Sequence, residues 1–126
     1  MSDDTLQIEL VSADRVVWSG QASQINARTV EGELGILANH APLLSLLAAG
    51  VVEIDPIDGD HFKVAVSDGF ISVADNRVSI LSEDAFLASE IDLDKARAEL
   101  EAAEESEDEE AARRAEAKIR AVEKPS

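Results

Sequence analysis

The residues of this chain that could carry out chemistry are few and widely separated. The two histidines, His40 and His61, have no ligand partner at the spacing that a helical metal site uses, and the sequence has no cysteine. Disulfides, thiolate metal sites and cysteine nucleophiles are therefore excluded. Carboxylates are abundant, but no pair of them is set apart by apolar neighbours as a general acid and base. We predict no catalytic residue, no metal site and no required cofactor.

Two short segments resemble ligand-binding loops only superficially. The aspartates of residues 55–60 surround a glycine, but a calcium loop would need a late carboxylate where this chain has Val66. A plain β-turn is the better prediction for these residues. Residues 32–35, Gly-Glu-Leu-Gly, contain too few glycines for a phosphate-binding loop and are not followed by a lysine.

The segment 30–44, VEGELGILANHAPLL, differs from a generic series of strands and turns. Gly32 and Gly35 allow positive φ or a close backbone approach, and the Asn-His-Ala-Pro stretch predicts a rigid extended corner before an apolar run. One interpretation is a purely structural loop. The other is a shaped surface that presents Glu33 and His40 to another protein, and the residues alone leave both open.

The composition limits the classes of partner. Asp and Glu number 27 against 11 Lys and Arg, which gives a formal net charge of -16. Such a balance disfavours binding to nucleic acid and to anionic lipid. No apolar run approaches the length of a membrane span, and the acidic start does not resemble a signal or transit peptide. We therefore expect any membrane association to be indirect, through a partner.

The composition of the chain changes near residue 88, and so does the type of secondary structure expected to position these residues. Residues 1–88 contain all six glycines, and apolar residues alternate with polar ones in short runs. Short strands with turns between them predict an antiparallel β-sandwich or barrel. The expected strands are 6–10, 16–18, 23–29, 51–54, 62–66, 70–73 and 78–81, with Ser19-Gly20 ending the second.

Residues 89–126 have no glycine and many alanines, and they predict an antiparallel hairpin of two helices. The expected apolar faces are Leu93, Ala96, Leu100 and Ala103 in the first helix and Ala112, Ala115, Ile119 and Val122 in the second. Ser106 and Glu109 fit a capping box that starts the second helix. Because a buried methyl contributes only about 0.8 kcal/mol, we expect this hairpin to dock weakly on the strands.

Three blocks of the sequence together resemble the epsilon subunit of bacterial and chloroplast F-type ATP synthases. They occur in the family's order and, with the hairpin, cover nearly the whole chain. The blocks are Ser12-Ala13-Asp14 with Trp18-Ser19-Gly20, Glu31 to Leu37 with Asn39 to Leu44, and Gly69-Phe70 with Val73, Asn76, Val78 and Ile80-Leu81. The family usually has proline where this chain has Ala38.

The resemblance implies an N-terminal antiparallel β-sandwich of about ten short strands and a C-terminal two-helix hairpin. It implies a non-catalytic rotor subunit of the central stalk, which couples rotation of the c-ring through the gamma subunit to ATP synthesis. The implied partners are the gamma subunit, the c-ring and, through the hairpin, the alpha/beta catalytic hexamer. The implied location is peripheral, at the cytoplasmic face of a bacterial cell membrane. By the motif match, the residues implied to contact partners are Glu31, Glu33, His40 and Pro42.

Some bacterial members of this family bind ATP as a regulatory ligand of the hairpin, and this chain carries a candidate site. The residues that match their motif in the first helix are Leu93, Asp94, Arg97 and Ala98. Arg114 and Lys118 are the candidates for the basic pair that the second helix supplies. The alternative interpretation is a simple ion pair between Asp94 and Arg97. The short second helix argues against strong inhibition of ATP hydrolysis.

Two functions of other classes are compatible with the same sequence. One is a free-standing nucleotide sensor, in which the hairpin site is the purpose of the protein. The other is a generic assembly scaffold without a link to ATP synthesis.

Overall fold

The computed structural model describes residues 5–123. They form nine strands, a short 3-10 turn and two helices. The elements are β1 (Leu6–Ser12), β2 (Val16–Thr29), β3 (Gly32–Leu37), β4 (Leu43–Leu47), β5 (Gly50–Pro56), β6 (Phe62–Val66), β7 (Gly69–Ala74), β8 (Arg77–Ser82), β9 (Ala85–Leu87), the 3-10 turn (Ala88–Glu90), α1 (Leu93–Glu105) and α2 (Glu109–Val122). The predicted β-sandwich followed by a helical hairpin is confirmed.

The strands are joined in the order β1-β8-β7-β4-β2-β5-β6-β9, with β3 paired to β2. The first half of β2 pairs with β1 and its second half pairs with β3 and β5, so this long strand passes from one layer of the sandwich to the other. The pairings among these nine strands are antiparallel except that of β1 with β8, which is parallel. The predicted antiparallel sandwich is confirmed, with this one parallel ladder as an exception.

The core between the layers is made of branched aliphatic side chains. Leu6, Ile8 and Leu10 of β1 are fully buried and alternate with exposed polar residues, as their period of two predicts. The described part of the core has few aromatic members, and Trp18 and Phe62 meet edge to face at its margin with ring centroids 5.2 Å apart.

Two predictions about the strands are wrong. Ser19-Gly20 does not end a strand, because β2 continues through both residues. A Cβ on Gly20 would lie 2.9 Å from the indole of Trp18, so this glycine makes room for the ring rather than for a turn. Residues 32–37 are strand β3 rather than a loop, with Gly35 leaving space beside the Asn26 side chain.

The predicted turn after β7 is confirmed. Asp75 and Asn76 have φ values of 51° and 61° between the paired residues Ala74 and Arg77. Two positive φ values in a two-residue connection are typical of the hairpin turns whose twist matches that of the strands.

The hairpin lies on the sandwich through α2, which packs against β5 and β6, while α1 packs on α2. The predicted face of α1 is confirmed, with Ala96 and Ala103 buried and Leu93 and Leu100 half-buried.

The predicted face of α2 is only partly right. Ala115 is buried as expected, but the other buried residues are Ala117 and Ala121, whereas Ala112, Ile119 and Val122 are half-buried. Because α2 packs against both α1 and the sheet, its buried residues lie on more than one face of the helix.

The predicted capping box is wrong. The Ser106 hydroxyl donates to the carbonyl of Ala102 at 3.0 Å and so belongs to the end of α1. Asp108 caps α2 instead, since its carboxylate accepts from the backbone N–H of Ala111 at 3.1 Å. Glu107 reverses the chain between them with a φ of 58°.

An ion pair fixes the segment between the sandwich and the hairpin. The guanidinium of Arg15, in the turn after β1, donates to both oxygens of Glu90 at 2.6 and 2.8 Å and to the carbonyl of Ala85 at 3.2 Å. The N–H of Leu87 donates to the same carboxylate at 2.9 Å. These bonds lower the pKa of Glu90, with the Arg15 hydrogen bond as the largest cause. Whether residues 1–88 fold without residues 89–126 stays a prediction.

Candidate functional site

One face of the sandwich carries an uncovered row of apolar side chains, which we call the apolar stripe. Its centre is Leu46, Phe70 and Leu81, which are 51%, 50% and 51% exposed. They stand directly opposite one another on the neighbouring strands β4, β7 and β8. The same row continues through Val11 to Val16, which is 57% exposed. Large exposed side chains aligned over several strands are typical of a protein–protein contact surface.

One end of the apolar stripe is concave. A cleft of ≈ 690 Å³ is lined there by the three central side chains, by Val30 and by the carboxylate-bearing residues Asp68 and Glu83, among others. The backbone N–H of Val30 donates to the carbonyl of Leu46 at 3.1 Å, which joins the β2–β3 turn to β4. An apolar centre with carboxylates at its rim is the usual composition of a protein interface.

The sequence contains a signal for the apolar stripe that our predictions did not use. Residues 43–47, Leu-Leu-Ser-Leu-Leu, are apolar on both faces of a strand, and the side chains of Leu44 and Leu46 are exposed. An antiparallel strand with one solvated face should instead alternate. The departure from alternation marks a sheet face that is available for another molecule to cover.

Glu31 and Glu33, which the motif match implied to contact a partner, lie at one end of β3. Glu31 is exposed in the β2–β3 turn, where its N–H donates to the hydroxyl oxygen of Thr29 at 3.2 Å. The same hydroxyl donates to the carbonyl of Gly32, whose φ is 124°. Glu33 is exposed early in β3, opposite Arg28 of β2.

His40 and Pro42 lie beyond the other end of β3. The N–H of His40 donates to the carbonyl of Leu37 at 3.2 Å, and its Nδ1 is 2.7 Å from the carbonyl oxygen of Ala41. About 13 Å of extended strand, four residue steps at 3.3 Å each, separates Glu33 from Leu37. The structure therefore does not bring the carboxylate and the imidazole together in one loop, but places them at opposite ends of an edge strand.

The candidate ATP residues are divided between two parts of the hairpin. Asp94, Arg97 and Ala98 are exposed on the first two turns of α1, with Leu93 half-buried beside them. No ion pair joins Asp94 to Arg97, although both lie within residues 5–123. Asp92 rather than Asp94 caps the helix, by accepting from the N–H of Lys95.

Arg114 and Lys118 face a later part of α1. They line a cleft between the helices whose lining from α1 comprises Glu99, Ala102, Ala103 and Ser106. The ammonium group of Lys118 is 3.2 Å from Glu99 Oε1 and 4.8 Å from the ring centroid of Phe86 on β9. Lys118 thus contacts α1 and the sandwich at once, and none of the motif residues of α1 lines this cleft.

His61 has two carboxylate partners at the beginning of β6. Its Nδ1 is 2.6 Å from Asp55 and its Nε2 is 3.0 Å from Glu53, both on β5. The Asp55 hydrogen bond is the largest cause of a raised pKa of His61, and burial opposes it. Across residues 5–123, no cluster of three or more histidines and carboxylates is arranged to hold a metal ion. In the same range, no helix is both long enough and apolar enough to span a membrane.

Comparison with known proteins identifies one family. The family model of the ATP synthase delta/epsilon chain beta-sandwich domain matches residues 5–88. The ATP synthase epsilon chain of Streptomyces avermitilis is 50% identical over 117 residues, which cover 93% of this chain and 94% of that one. The epsilon chain of Corynebacterium glutamicum is 48% identical over 122 residues, which cover 96% and 95%.

Solved structures of ATP synthases contain chains that are similar to this one. A chain in the Euglena gracilis mitochondrial ATP synthase, in a structure of OSCP, F1 and the c-ring, matches with a TM-score of 0.73 and 28% identity. The match covers 97% of this chain and 79% of that chain. A chain in the central stalk and c-ring of the Tetrahymena thermophila enzyme shares the fold, with a TM-score of 0.62. The chain described here belongs to the family of ATP synthase epsilon chains.

Proposed function

We propose that this epsilon chain is a rotor subunit that transmits rotation of the c-ring to the gamma subunit, and that the apolar stripe is the surface that binds gamma. Like the epsilon chains it resembles, it is a non-catalytic subunit of ATP synthase. The observation that carries the assignment of a surface is the uncovered row formed by Leu46, Phe70 and Leu81. Torque transmission needs a stiff body with a firm contact, and paired sheet strands supply the stiffness.

The position of the apolar stripe supports this assignment. α2 covers β5 and β6, whereas the apolar stripe lies on β4, β7 and β8. A partner can therefore occupy it while the hairpin stays docked. Interface centres are enriched in aromatic residues, and Phe70 stands in the middle of the row.

The c-ring contact is proposed at β3. This strand pairs only with β2 among the described strands, so its other edge is free to meet another chain. Glu31 and Glu33 are exposed at one end of it and Pro42 is exposed beyond the other. We expect polar residues of the c-ring loops to contact these two ends rather than a single point.

The test is co-purification of the full chain with gamma and the c-ring. Phe70→Asp should reduce retention by gamma about thirtyfold or more, which corresponds to about 2 kcal/mol at the centre of an interface. Ile57→Asp is the matched control, because Ile57 is 47% exposed but lies in the β5–β6 turn. Equal retention of the two variants would refute the assignment of the apolar stripe.

The c-ring contact is tested separately. Glu33→Lys and His40→Asp should weaken association with the c-ring and leave binding to isolated gamma unchanged. Both variants should keep the unfolding midpoint of the wild-type chain in isolation. Unfolding of the isolated variants would show that this segment has only a structural role.

The hairpin is the proposed contact with the alpha/beta hexamer, and the complex is expected at the cytoplasmic face of a bacterial membrane.

ATP remains a proposed regulatory ligand of the hairpin, supported by the cleft that Arg114 and Lys118 line. ATP phosphates would have to compete with Glu99 for Lys118. Calorimetric titration of the wild type and Arg114→Ala with ATP tests this, and binding without any retention by gamma would favour the free-standing sensor.

A further inference from the structure

A second cleft lies where α2 meets the sandwich, and we call it the seam groove. It has a volume of ≈ 360 Å³, and three arginines line it: Arg28 from β2 and Arg113 and Arg120 from α2. Between them the lining consists largely of small residues, which are Ala48, Ala49, Gly50 and Ala117. Small residues leave a depression between long cationic side chains, which an anion could enter.

The place of Arg28 is set by the sheet. Its backbone carbonyl accepts from the N–H of Ala48 at 3.0 Å, which holds the β4–β5 connection beside it. A Cβ on Gly50 would lie 3.2 Å from Cδ and 3.4 Å from Cβ of Arg28, so the aliphatic part of the arginine lies against this buried glycine. The absence of a side chain at Gly50 is therefore what lets Arg28 lie alongside the groove.

The two arginines of α2 are held on the groove by packing. Ala117 lies between them in sequence and is buried together with Ala65 of β6. Arg113 and Arg120 are seven residues apart, which places them about 10 Å apart along the helix axis at 1.5 Å per residue. With Ala117 fixed against the sheet, both arginines fall on the same side of α2 as Arg28.

The seam groove carries more positive than negative charge. Arg15 and Lys118 both have a carboxylate partner, but none of the three groove arginines forms an ion pair with any residue between 5 and 123. Asp68 and Glu116 also line the groove, so its formal charge is three positive against two negative. In a chain of net charge -16, this makes the groove an unusual site of positive charge. Clustered guanidinium groups repel one another unless an anion lies between them.

We propose that Arg28, Arg113 and Arg120 form a binding site for a phosphate group in the seam groove. The guanidinium fork matches the geometry of phosphate oxygens better than a lysine does. One ligand would contact both the sandwich and α2, so its binding stabilises the docked hairpin by mass action. The site is separate from the candidate ATP residues Arg114 and Lys118, which line clefts toward α1 and β9.

The experiment is an NMR titration of the full chain with pyrophosphate, inorganic phosphate and ATP in parallel, at constant ionic strength. We expect the amide signals of Ala48, Ala49 and Gly50 to shift saturably with at least one of these probes. Arg120→Gln and Arg28→Gln should each weaken that binding about tenfold, the loss of one charge-assisted contact. The probe that saturates at the lowest concentration identifies whether a free phosphate or a nucleotide is the source.

Two variants serve as controls. Arg77→Gln removes an exposed arginine of β8, away from the groove, and should change the affinity less than twofold. Shifts no larger than those from sodium chloride would overturn the proposal. Binding that survives Arg120→Gln but is lost in Arg114→Gln would also overturn it, because the phosphate would then occupy the cleft between the helices. Neither result would bear on the retention of the chain by gamma.

Discussion

Replacement of Ala117 by lysine should detach the hairpin from the sandwich and leave the sandwich folded. Ala117 is only 3% exposed and packs with Ala65 and Ala121 at the centre of the contact between α2 and the sheet. Each buried methyl contributes about 0.8 kcal/mol, so the two alanines of α2 supply about 1.6 kcal/mol. The ammonium group of Lys118 over Phe86 adds about 1 kcal/mol.

An ammonium group at position 117 would lose its water in the methyl contact, and the arginines that line the seam groove beside Ala117 would repel it. A buried polar group without a partner costs about 1–3 kcal/mol in proteins, and an ionised group costs more. This penalty is similar to or larger than the contribution of the two alanines and Lys118, to which the half-buried Val51, Ala88 and Ile91 add further contact. We therefore expect the population of the detached hairpin to rise in Ala117→Lys.

The single tryptophan makes the detachment measurable. Trp18 lines a cleft together with Ala121 and Val122 at the end of α2. Departure of α2 exposes the indole to water, so its fluorescence emission should move to longer wavelength while the sheet signal in circular dichroism persists. A chain that ends at residue 88, which we predict to fold, supplies the emission of the fully uncovered sheet.

Ala98→Lys is the matched control, since Ala98 is an exposed alanine of α1 and its replacement should leave the emission unchanged. Two results would refute the reasoning. Unchanged emission in Ala117→Lys would mean that the docking energy is much larger than the contacts indicate. Simultaneous loss of the sheet signal would mean that the hairpin is part of the sandwich's own stability.

Three further perturbations test other features. Gly69→Ala should destabilise the chain by about 3 kcal/mol or more in chemical unfolding, because the new Cβ would lie 1.8 Å from a carbonyl oxygen of β8. Below pH 6.5, the ordinary pKa of histidine, His61→Gln should be less stable than wild type. This difference in stability should vanish as the pH rises through the raised pKa of His61, because Asp55 of the wild type then loses its cationic partner. Arg15→Ala should be less stable at neutral pH, and unfolding midpoints should converge with wild type as the pH falls through the lowered pKa of Glu90.

Local sequence patterns predicted the structure correctly where adjacent residues alone determine it. The alternation of Leu6, Ile8 and Leu10 reports one buried sheet face, and the Asp75-Asn76 pair is a hairpin turn by its own backbone preference. Both features are properties of adjacent residues, so they are visible without knowledge of the tertiary fold.

The features that were missed depend on contacts that appear only once the chain is folded. Gly20 looks like a turn residue until the indole of Trp18 is placed over it. Ser106 looks like the start of α2, although its hydroxyl bonds to the preceding helix and leaves the cap to Asp108. The meeting of Arg28 with the arginines of α2 depends on how the hairpin docks, which no spacing within a single element reveals.

The candidate site was likewise predicted only in part from the sequence. The motif match named Glu33 and His40, but it could not show that a whole strand separates them, because the two glycines of the segment resembled a loop. The apolar stripe was not predicted, for a different reason. Its leucines have the composition of a core, and only the pairing of β4 with β7 shows which of them face outward.

The bond between Arg15 and Glu90 restricts where the hairpin can travel after it leaves the sheet. While its two bonds to the guanidinium persist, Glu90 stays joined to the sandwich, and rotation of the hairpin is confined to the residues after it, starting at Ile91 and Asp92. α1 alone would then reach about 20 Å from that point, and a continuous helix over residues 93–122 about 45 Å, at 1.5 Å per residue. A hairpin that detaches with this ion pair intact therefore starts from one corner of the subunit, and its possible targets lie within a sphere of known centre and radius.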